Sequence, residues 1–136
     1  MGFDNTTFQL LQSALLAANM RQQVYANNIA NAQTPGYKRQ DVQFESVLNQ
    51  TMSAPLPVMG ERSIPIPSSS SLNWMNLTNV KPQIVTDNQS VVQNNGNNVD
   101  IDAEMADLAE NQIRYNTLIQ DVQDRLTQLR TAINGG

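Results

Sequence analysis

Apolar residues recur every three or four positions through the C-terminal third of the chain, and this spacing constrains the fold more than any other feature. Such a period places side chains along one face of a long helix that packs against another helix. Asp100 is a candidate N-cap, and Gly135 and Gly136 follow the pattern and are expected to end the helix. The predicted seam of this helix contains Ile101, Met105, Leu108, Gln112, Tyr115, Ile119, Val122, Leu126, Leu129 and Ile133.

A second long helix is predicted near the N-terminus, opened by Thr6 with Gln9 three residues on as a capping box. Its apolar positions form two neighbouring rows, each with a polar interruption. A helix that is apolar on more than one face must contact more than one neighbour. The predicted seam contains Phe8, Leu11, Leu15, Ala18, Gln22, Tyr25 and Ile29. The second row contains Leu10, Ala14, Ala17, Arg21 and Val24.

The N-terminal helix is predicted to end at a tight turn. Pro35 disfavours the helical conformation at Thr34 and has no amide hydrogen, so the helix is predicted to end near residue 32 or 33. Gly36 permits the positive φ that a type II turn needs at its third position, with Pro35 at the second. We expect Tyr37 to fold back against the helix end.

Asparagines are concentrated just before this turn. Asn27 and Asn31 lie one turn apart on one face, and Ala26 and Ala30 form a smooth neighbouring strip where another backbone can approach. Asn is a mediocre helix former, so three asparagines in five positions favour hydrogen bonds to groups other than water. The alternative, on the residues alone, is a surface helix that frays at its C-terminal end.

The stretch ANNIANAQTPGYKR at residues 26–39 resembles the N-terminal signature shared by the rod and hook proteins of the bacterial flagellum. A second stretch, GNNVDIDAEMADLAENQIRYNTL at residues 96–118, is similar to the C-terminal half of the short proximal-rod members of that family. The resemblance implies a structural subunit of the proximal rod that polymerises helically into part of the drive shaft and export channel. It also implies an assembly motif made of Asn27, Asn28, Ile29, Ala30, Asn31, Thr34, Pro35, Gly36 and Tyr37.

The same resemblance implies partners and a location. The implied partners are copies of this chain, other flagellar rod proteins, the adapter protein FliE and export-gate proteins. Family members are exported uncleaved by the flagellar type III apparatus and lie in the rod of the basal body, in the periplasm or the cell-wall zone. Consistent with this, no apolar run approaches the roughly 20 residues needed to cross a bilayer. No basic residue precedes Arg21, so a cleaved signal peptide is not expected.

Composition argues against catalysis and cofactor binding. The chain has no Cys and no His, so disulfides, thiolate nucleophiles, Ser-His-Asp triads and the usual zinc sites cannot form. The formal net charge of −4 argues against a nucleic-acid or phosphate surface. Asp100, Asp102 and Glu104 alternate as in a calcium loop, but the loop glycine and distal glutamate are not in place, so helix capping is favoured. We expect no enzyme, no cofactor, no metal and no small-molecule substrate.

We divide the chain into an N-terminal axial helix at residues 1–34, an irregular connection at residues 35–98 and a C-terminal heptad helix at residues 99–136. The predicted fold class is mainly α, with the two long helices paired as a coiled-coil-like hairpin.

The connection is expected to be irregular and partly β. Residues 44–52 can form a short helix, and residues 80–92 can hold a short strand or two, although a proline limits regularity there. Trp74 and Met75 are the candidate anchors of this segment.

Pairing of the two seams leaves the second row of the first helix uncovered. We therefore expect a marginal monomer whose core is completed by neighbouring copies. Gln22 and Gln112, each followed by a tyrosine three residues later, are hypothesised to set helix register. The main alternative function is a soluble coiled-coil adaptor or export chaperone, which would use the same heptads to bind a partner without forming an axial polymer.

Overall fold

The computed structural model describes residues 2–53, 77–90, 96 and 98–135, with side chains described from Asn5 onward. Trp74 and Met75, the anchors that the sequence predicted, lie outside the described residues, as does Gly136. In chain order the elements are helix α1 (Gly2–Ala30), strand β1 (Gln40–Gln43), helix α2 (Glu45–Ser53), strand β2 (Gln83–Thr86) and helix α3 (Ile101–Ile133).

Helices α1 and α3 pack against each other in antiparallel orientation. The side-chain amide of Asn28 reaches Glu104 near the start of α3, and that of Asn111 reaches Ala18 further back along α1. At about 1.5 Å per residue, the two helices are about 44 and 50 Å long. The predicted hairpin of two long paired helices is confirmed.

A small antiparallel sheet and a short helix lie beside this hairpin. Strands β1 and β2 pair with Gln40 opposite Thr86 and Gln43 opposite Gln83. The predicted strand in residues 80–92 is confirmed as β2, and the predicted helix over residues 44–52 is confirmed as α2. Strand β1 was not predicted, because three of its four residues are Gln or Asp and carry little β-propensity.

The observed helix ends agree only in part with those predicted from the sequence. Helix α1 begins at Gly2, so the capping box at Thr6 is wrong; Thr6 lies within the helix, where Gln9 donates to Asn5 Oδ1 at 3.3 Å. Helix α1 ends at Ala30, two residues before the earlier predicted end. The N-cap at Asp100 is confirmed, because its Oδ1 accepts hydrogen bonds from two backbone amides of the first turn.

The second row of α1 is covered by the chain's own central segment. Ala17 and Val24 from this row pack with three residues of the central segment. These are Val42 in β1, Phe44 directly after it, and Val80 shortly before β2. The expectation that neighbouring copies cover this row is therefore wrong for its C-terminal part, because the connection folds back onto α1.

The two ends of the hairpin differ in burial. We call residues 17–32 with residues 98–111 the latch half, and residues 5–16 with residues 112–133 the open half. Among the described residues, every buried side chain of the hairpin lies in the latch half. Within the described ranges, the open half is mainly a two-helix ribbon, and two helices alone cannot enclose a side chain on all sides.

Candidate functional site

The turn after α1 has the predicted geometry. The backbone amide of Tyr37 donates to the carbonyl of Thr34 at 3.2 Å, and Gly36 has a φ of +74°. These are the marks of a type II turn with Pro35 at its second position, so that prediction is confirmed. A Cβ added at Gly36 would meet no atom within 4 Å, so the requirement for glycine is the backbone angle and not space.

Asn28 is the centre of the site and is fully buried. Its Nδ2 donates to the carbonyl of Gln40 at 2.7 Å, while its Oδ1 accepts from the amide of Gln40 at 3.0 Å. The side-chain amide thus pairs with β1 in the way a neighbouring strand would. Tyr37 Oη also donates to Asn28 Oδ1 at 3.1 Å, which confirms that Tyr37 folds back.

Glu104 joins this asparagine to the second helix. Glu104 is 1% exposed, and its carboxylate accepts from Asn28 Nδ2 at 3.0 Å and from Arg39 Nε. Arg39 also lies 3.2 Å from Asp41 and 3.5 Å from Asp107. The carboxylate lies in the first turn of α3, where the helix macrodipole favours negative charge. The sequence placed Glu104 there as a surface charge; it is instead a buried link between α1, β1 and α3.

Asn98 holds the chain immediately before α3. Its Oδ1 accepts from the backbone amide of Arg39 at 2.5 Å, and its Nδ2 donates to the carbonyl of Asp87 at 2.9 Å. Lys38 Nζ donates to the carbonyl of Gly96 at 2.6 Å. The residues after the turn are therefore fixed to the residues before α3. We call Asn28, Tyr37, Arg39, Asn98 and Glu104 the latch.

A second ion pair fixes α2 to α1. The guanidinium of Arg21 binds the carboxylate of Glu45 and donates to the carbonyl of Val42 at 3.3 Å. Burial opposes the charge on Glu45, but the hydrogen bonds and positive charge of Arg21 outweigh it and hold the pKa of Glu45 below its ordinary value. Arg21, which the sequence gave as an interruption of an apolar row, is thus a buried tether.

The rest of the predicted motif faces outward. Asn27, Ala30, Thr34, Pro35 and Gly36 are exposed, and Ile29 and Asn31 are half-buried. The Asn31 side chain donates at 2.8 Å to the carbonyl of Asn27, which also accepts from the backbone amide of Asn31 at 3.0 Å. The role of these residues in assembly stays a prediction.

The predicted seam of α1 faces α3 as expected, whereas that of α3 is only partly covered. On α1, Ala18 and Tyr25 are buried, and Phe8, Leu11, Leu15, Gln22 and Ile29 are half-buried. On α3, half-buried positions are Ile101, Leu108, Tyr115, Ile119, Val122 and Leu129.

Four seam residues of α3 are exposed and not buried against α1. Gln112 is exposed, and Met105, Leu126 and Ile133 have exposed fractions of 54%, 46% and 80%. The expectation that the whole seam is buried within one copy is wrong for these residues. The reason is a rotation of the inward face by about one residue, which places Glu104 and Asn111 against α1.

The two glutamines proposed to set register do not meet. Asn111 Nδ2 donates to the carbonyl of Ala18 at 2.8 Å and lies 3.4 Å from Gln22 Oε1. Gln112 lies on the surface, where it donates to Asn116 at 3.4 Å. Gln22 therefore contacts Asn111 of α3, one residue before Gln112.

Sequence reasoning missed Arg39, Asn98, Asn111 and Glu104 as site residues. The only sequence signal was that Arg39 ends the first quoted stretch and Asn98 and Glu104 lie in the second. Nothing in the local spacing shows that they touch, because the contacts span 59 and 65 positions.

The arrangement is suited to holding chain segments together. Within the described ranges, no group of three or more acidic side chains is placed to hold a metal ion. No helix in the described part of the chain is long and apolar enough to cross a membrane.

The family model for the flagella basal body rod protein matches residues 8–38, which cover most of α1, the type II turn and the start of the latch. The match identifies the class of protein to which the turn and its buried asparagine belong. All of α3 lies outside the matched residues.

Three relatives align with most of this chain. The flagellar basal body rod protein FlgB of Bacillus subtilis is 35% identical over 100% of the chain and 99% of the relative. FlgB of Proteus mirabilis (strain HI4320) is 31% identical over 96% of the chain and 95% of the relative. FlgB of Borrelia hermsii is 37% identical over 77% of the chain and 78% of the relative. The chain belongs to the FlgB family and is a structural subunit of the rod of the flagellar basal body.

Proposed function

We propose that copies of this rod subunit polymerise helically, with one another and with other rod proteins, and that the open half is the surface that neighbours cover. The proposal rests on the apolar residues of the open half, which line the helix pair without being fully buried. Phe8, Leu15 and Val122 line a groove of about 410 Å³ between the two helices, and Leu16 on α1 is 49% exposed. Apolar side chains on both helices are thus left for another molecule to bury.

The exposed seam of α3 supports the same surface. Leu126 and Ile133 lie seven residues apart on α3, and both are exposed. A repeat of seven is the spacing by which one helix packs along another. Head-to-tail contacts of this kind that do not close into a ring produce a helical polymer.

The latch gives the subunit a rigid end for such a polymer. It connects α1, β1 and α3 through buried polar contacts, so torque applied to one helix is transmitted to the others. This supports a part in the drive shaft and in the wall of the export channel, without catalysis. By family resemblance, the partners are other rod proteins, the adapter FliE and export-gate proteins, and the location is the periplasm or cell-wall zone.

The family membership favours a rod subunit over the soluble adaptor or chaperone. An adaptor would use its heptad helices to bind one partner, whereas a rod subunit is incorporated into a basal body. The two are separated by where the protein is found: in purified basal bodies, or only in the soluble fraction.

The test replaces one exposed apolar residue of the open half. In a deletion strain of the source bacterium, Leu126→Asp is expected to abolish rods and swimming, because a charge would have to be buried between subunits. Gln128→Asp, an exposed position two residues away, introduces the same charge and is expected to restore both. Electron microscopy of basal bodies and swimming in soft agar provide the measurement.

Protein abundance and circular dichroism must match between the two variants for the comparison to count. Normal rods built by Leu126→Asp would overturn the open half as the assembly surface.

A further inference from the structure

A polar notch of about 210 Å³ lies beside the latch half, between α1, β1 and α3, and none of the nine predicted motif residues lines it. Its walls contain both acidic and basic side chains. The lining residues are Arg21, Tyr25, Asp41, Val42, Asp107, Glu110, Asn111 and Arg114.

The notch contains a buried acceptor without a donor. Asn111 is 4% exposed, and its Oδ1 has no hydrogen-bond partner among the described residues. The orientation of the amide is set on its other side, where Nδ2 donates to the carbonyl of Ala18; the reverse orientation would place two acceptors against each other. Oδ1 is therefore the atom of the amide that lies away from the Ala18 carbonyl.

Acidic side chains outnumber basic side chains around this acceptor. Arg39 alone serves three carboxylates, those of Glu104, Asp41 and Asp107. The guanidinium of Arg114 lies 2.9 Å from Glu110 and 3.5 Å from a carboxylate of α2. The notch therefore has more carboxylates than cations.

The pKa of the Tyr25 phenol, which lines the notch, is affected by the same acidic side chains. Burial first, and then the charges of Asp41 and Asp107, raise the pKa of Tyr25 above its ordinary value of 10.0. The two nearby arginines oppose this shift but do not cancel it. A positively charged donor would satisfy both the acceptor and the charge.

We propose that the guanidinium of Arg130 from a neighbouring copy enters this notch and donates to Asn111 Oδ1 and to an acidic side chain. Arg130 is exposed on the last turn of α3, and no ion pair in the described ranges involves it. The planar fork of a guanidinium can donate to an amide oxygen and a carboxylate at once, which an ammonium does less well. Among the described residues, Lys81 is the other exposed cation without an ion pair, and it lies in a loop and not on a rigid helix.

This contact identifies a second copy of the chain as the partner, and it rests on the proposed function. Arg130 lies 19 positions beyond Asn111 on the same helix. For copies in the same orientation, a contact between these positions implies an axial offset of about 28 Å per copy. The open half of one copy would then overlap the latch half of the next, which is a head-to-tail contact that does not close.

A charge exchange tests the pairing. In the deletion strain, Arg130→Glu is expected to reduce swimming at least tenfold, and so is Glu110→Arg. The double variant, Arg130→Glu with Glu110→Arg, is expected to restore at least half of wild-type swimming, because the two charges are exchanged across the interface. Lys81→Glu, with the same change of charge as Arg130→Glu, is the control and is expected to swim normally.

Cross-linking tests proximity directly, and the chain has no cysteine to give a background. One tagged copy carries Glu110→Cys and a differently tagged copy carries Arg130→Cys; a short bismaleimide is expected to join them in cells that build rods. The pair Glu110→Cys with Lys81→Cys is the control and is expected to stay unlinked.

Failure of this inference is distinct from failure of the proposed function. Normal swimming by Arg130→Glu, no rescue by the double variant, or cross-linking through position 81 instead would overturn the Arg130 contact. The effect of Leu126→Asp on rods would be unchanged by any of these results.

Discussion

The latch half and the open half belong to the same pair of helices, yet they are stabilised in opposite ways. The latch half encloses Asn28, Val99 and Glu104 almost completely and adds β1 and α2 as a third layer. Among the described residues, the open half is joined to this layer near its boundary, by Ala14 and by the ion pair between Arg114 and Glu45, and its apolar residues are at most half-buried. The described part of the chain therefore encloses one end of the hairpin more fully than the other.

This difference separates folding from assembly. Buried polar contacts are costly when a partner is lost, so the latch half can dominate the stability of the isolated chain. Exposed apolar residues contribute little to that stability but provide binding free energy when a neighbour covers them. Substitutions in the two halves should accordingly affect different measurements.

The largest effect on stability is expected from Glu104→Ala. Loss of this carboxylate removes the buried partner of Arg39 and one of the two acceptors of the Asn28 amide, which should lower the free energy of unfolding by about 3 kcal/mol. Urea unfolding followed by circular dichroism measures the change. Leu126→Ala in the open half should change it by no more than about 0.5 kcal/mol, as for an ordinary surface position. A loss in Glu104→Ala as small as in Leu126→Ala would break the comparison.

A matched double variant sharpens that result. Replacing the pair together, as Arg39→Met with Glu104→Leu, leaves no unpaired guanidinium and should recover part of the loss. The recovery is incomplete because Asp41 and Asp107 also lose their ion-pair partner.

A somewhat smaller effect is expected from Asn28→Ala. The substitution leaves both backbone groups of Gln40 without their side-chain partner and removes a donor to Glu104, which should cost about 2 to 3 kcal/mol. Asn27→Ala is the matched control: Asn27 is adjacent and exposed, and its replacement should cost about 0.5 kcal/mol or less. Equal losses in the two variants, measured by the same urea unfolding, would show that Asn28 has no special part in the latch.

The turn is expected to be less sensitive than the contacts it positions. Gly36→Val forces a β-branched residue into a φ of +74°, which should cost about 1 to 2 kcal/mol. Gly36→Asn should cost less, because Asn tolerates this region better. Thermal unfolding distinguishes the two variants. If Gly36→Val were as stable as the wild type, the positive φ would not be needed by the fold.

The smallest effect concerns the pH dependence contributed by Glu45. Its pKa is lower in the folded chain than the ordinary 4.5. The carboxylate therefore contributes stability that is present above pH 4.5 and is lost as the pH falls through the folded pKa. Glu45→Gln should remove this part of the acid dependence. The contribution is modest, because the carboxylate is half exposed and screened by solvent.

Urea midpoints of wild type and Glu45→Gln, measured at neutral pH and at successive acidic values, provide the test. Parallel acid profiles for the two proteins would show that the tether from α2 to Arg21 does not depend on the charge of Glu45.

Local sequence patterns determined much of this fold. The heptad spacing predicted both long helices, Asp100 predicted the start of α3, and Pro35 with Gly36 predicted the type II turn; all are present. The reason is that each depends on residues within a few positions of one another, where backbone sterics and side-chain period act directly. The motif at residues 26–39 also pointed to the family before any contact was known.

Only the tertiary structure decided which residues are buried and what they bind. The spacing on α3 fits two faces that differ by about one residue, and packing selected the one that places Glu104 and Asn111 inward. Glu104 has the same local surroundings as a solvent-exposed first-turn carboxylate, and its burial follows from Arg39, 65 positions earlier in the chain. A single sequence carries no record of such distant pairs. Their energy depends on distance and on exclusion of water, and both exist only once α1, β1 and α3 have come together.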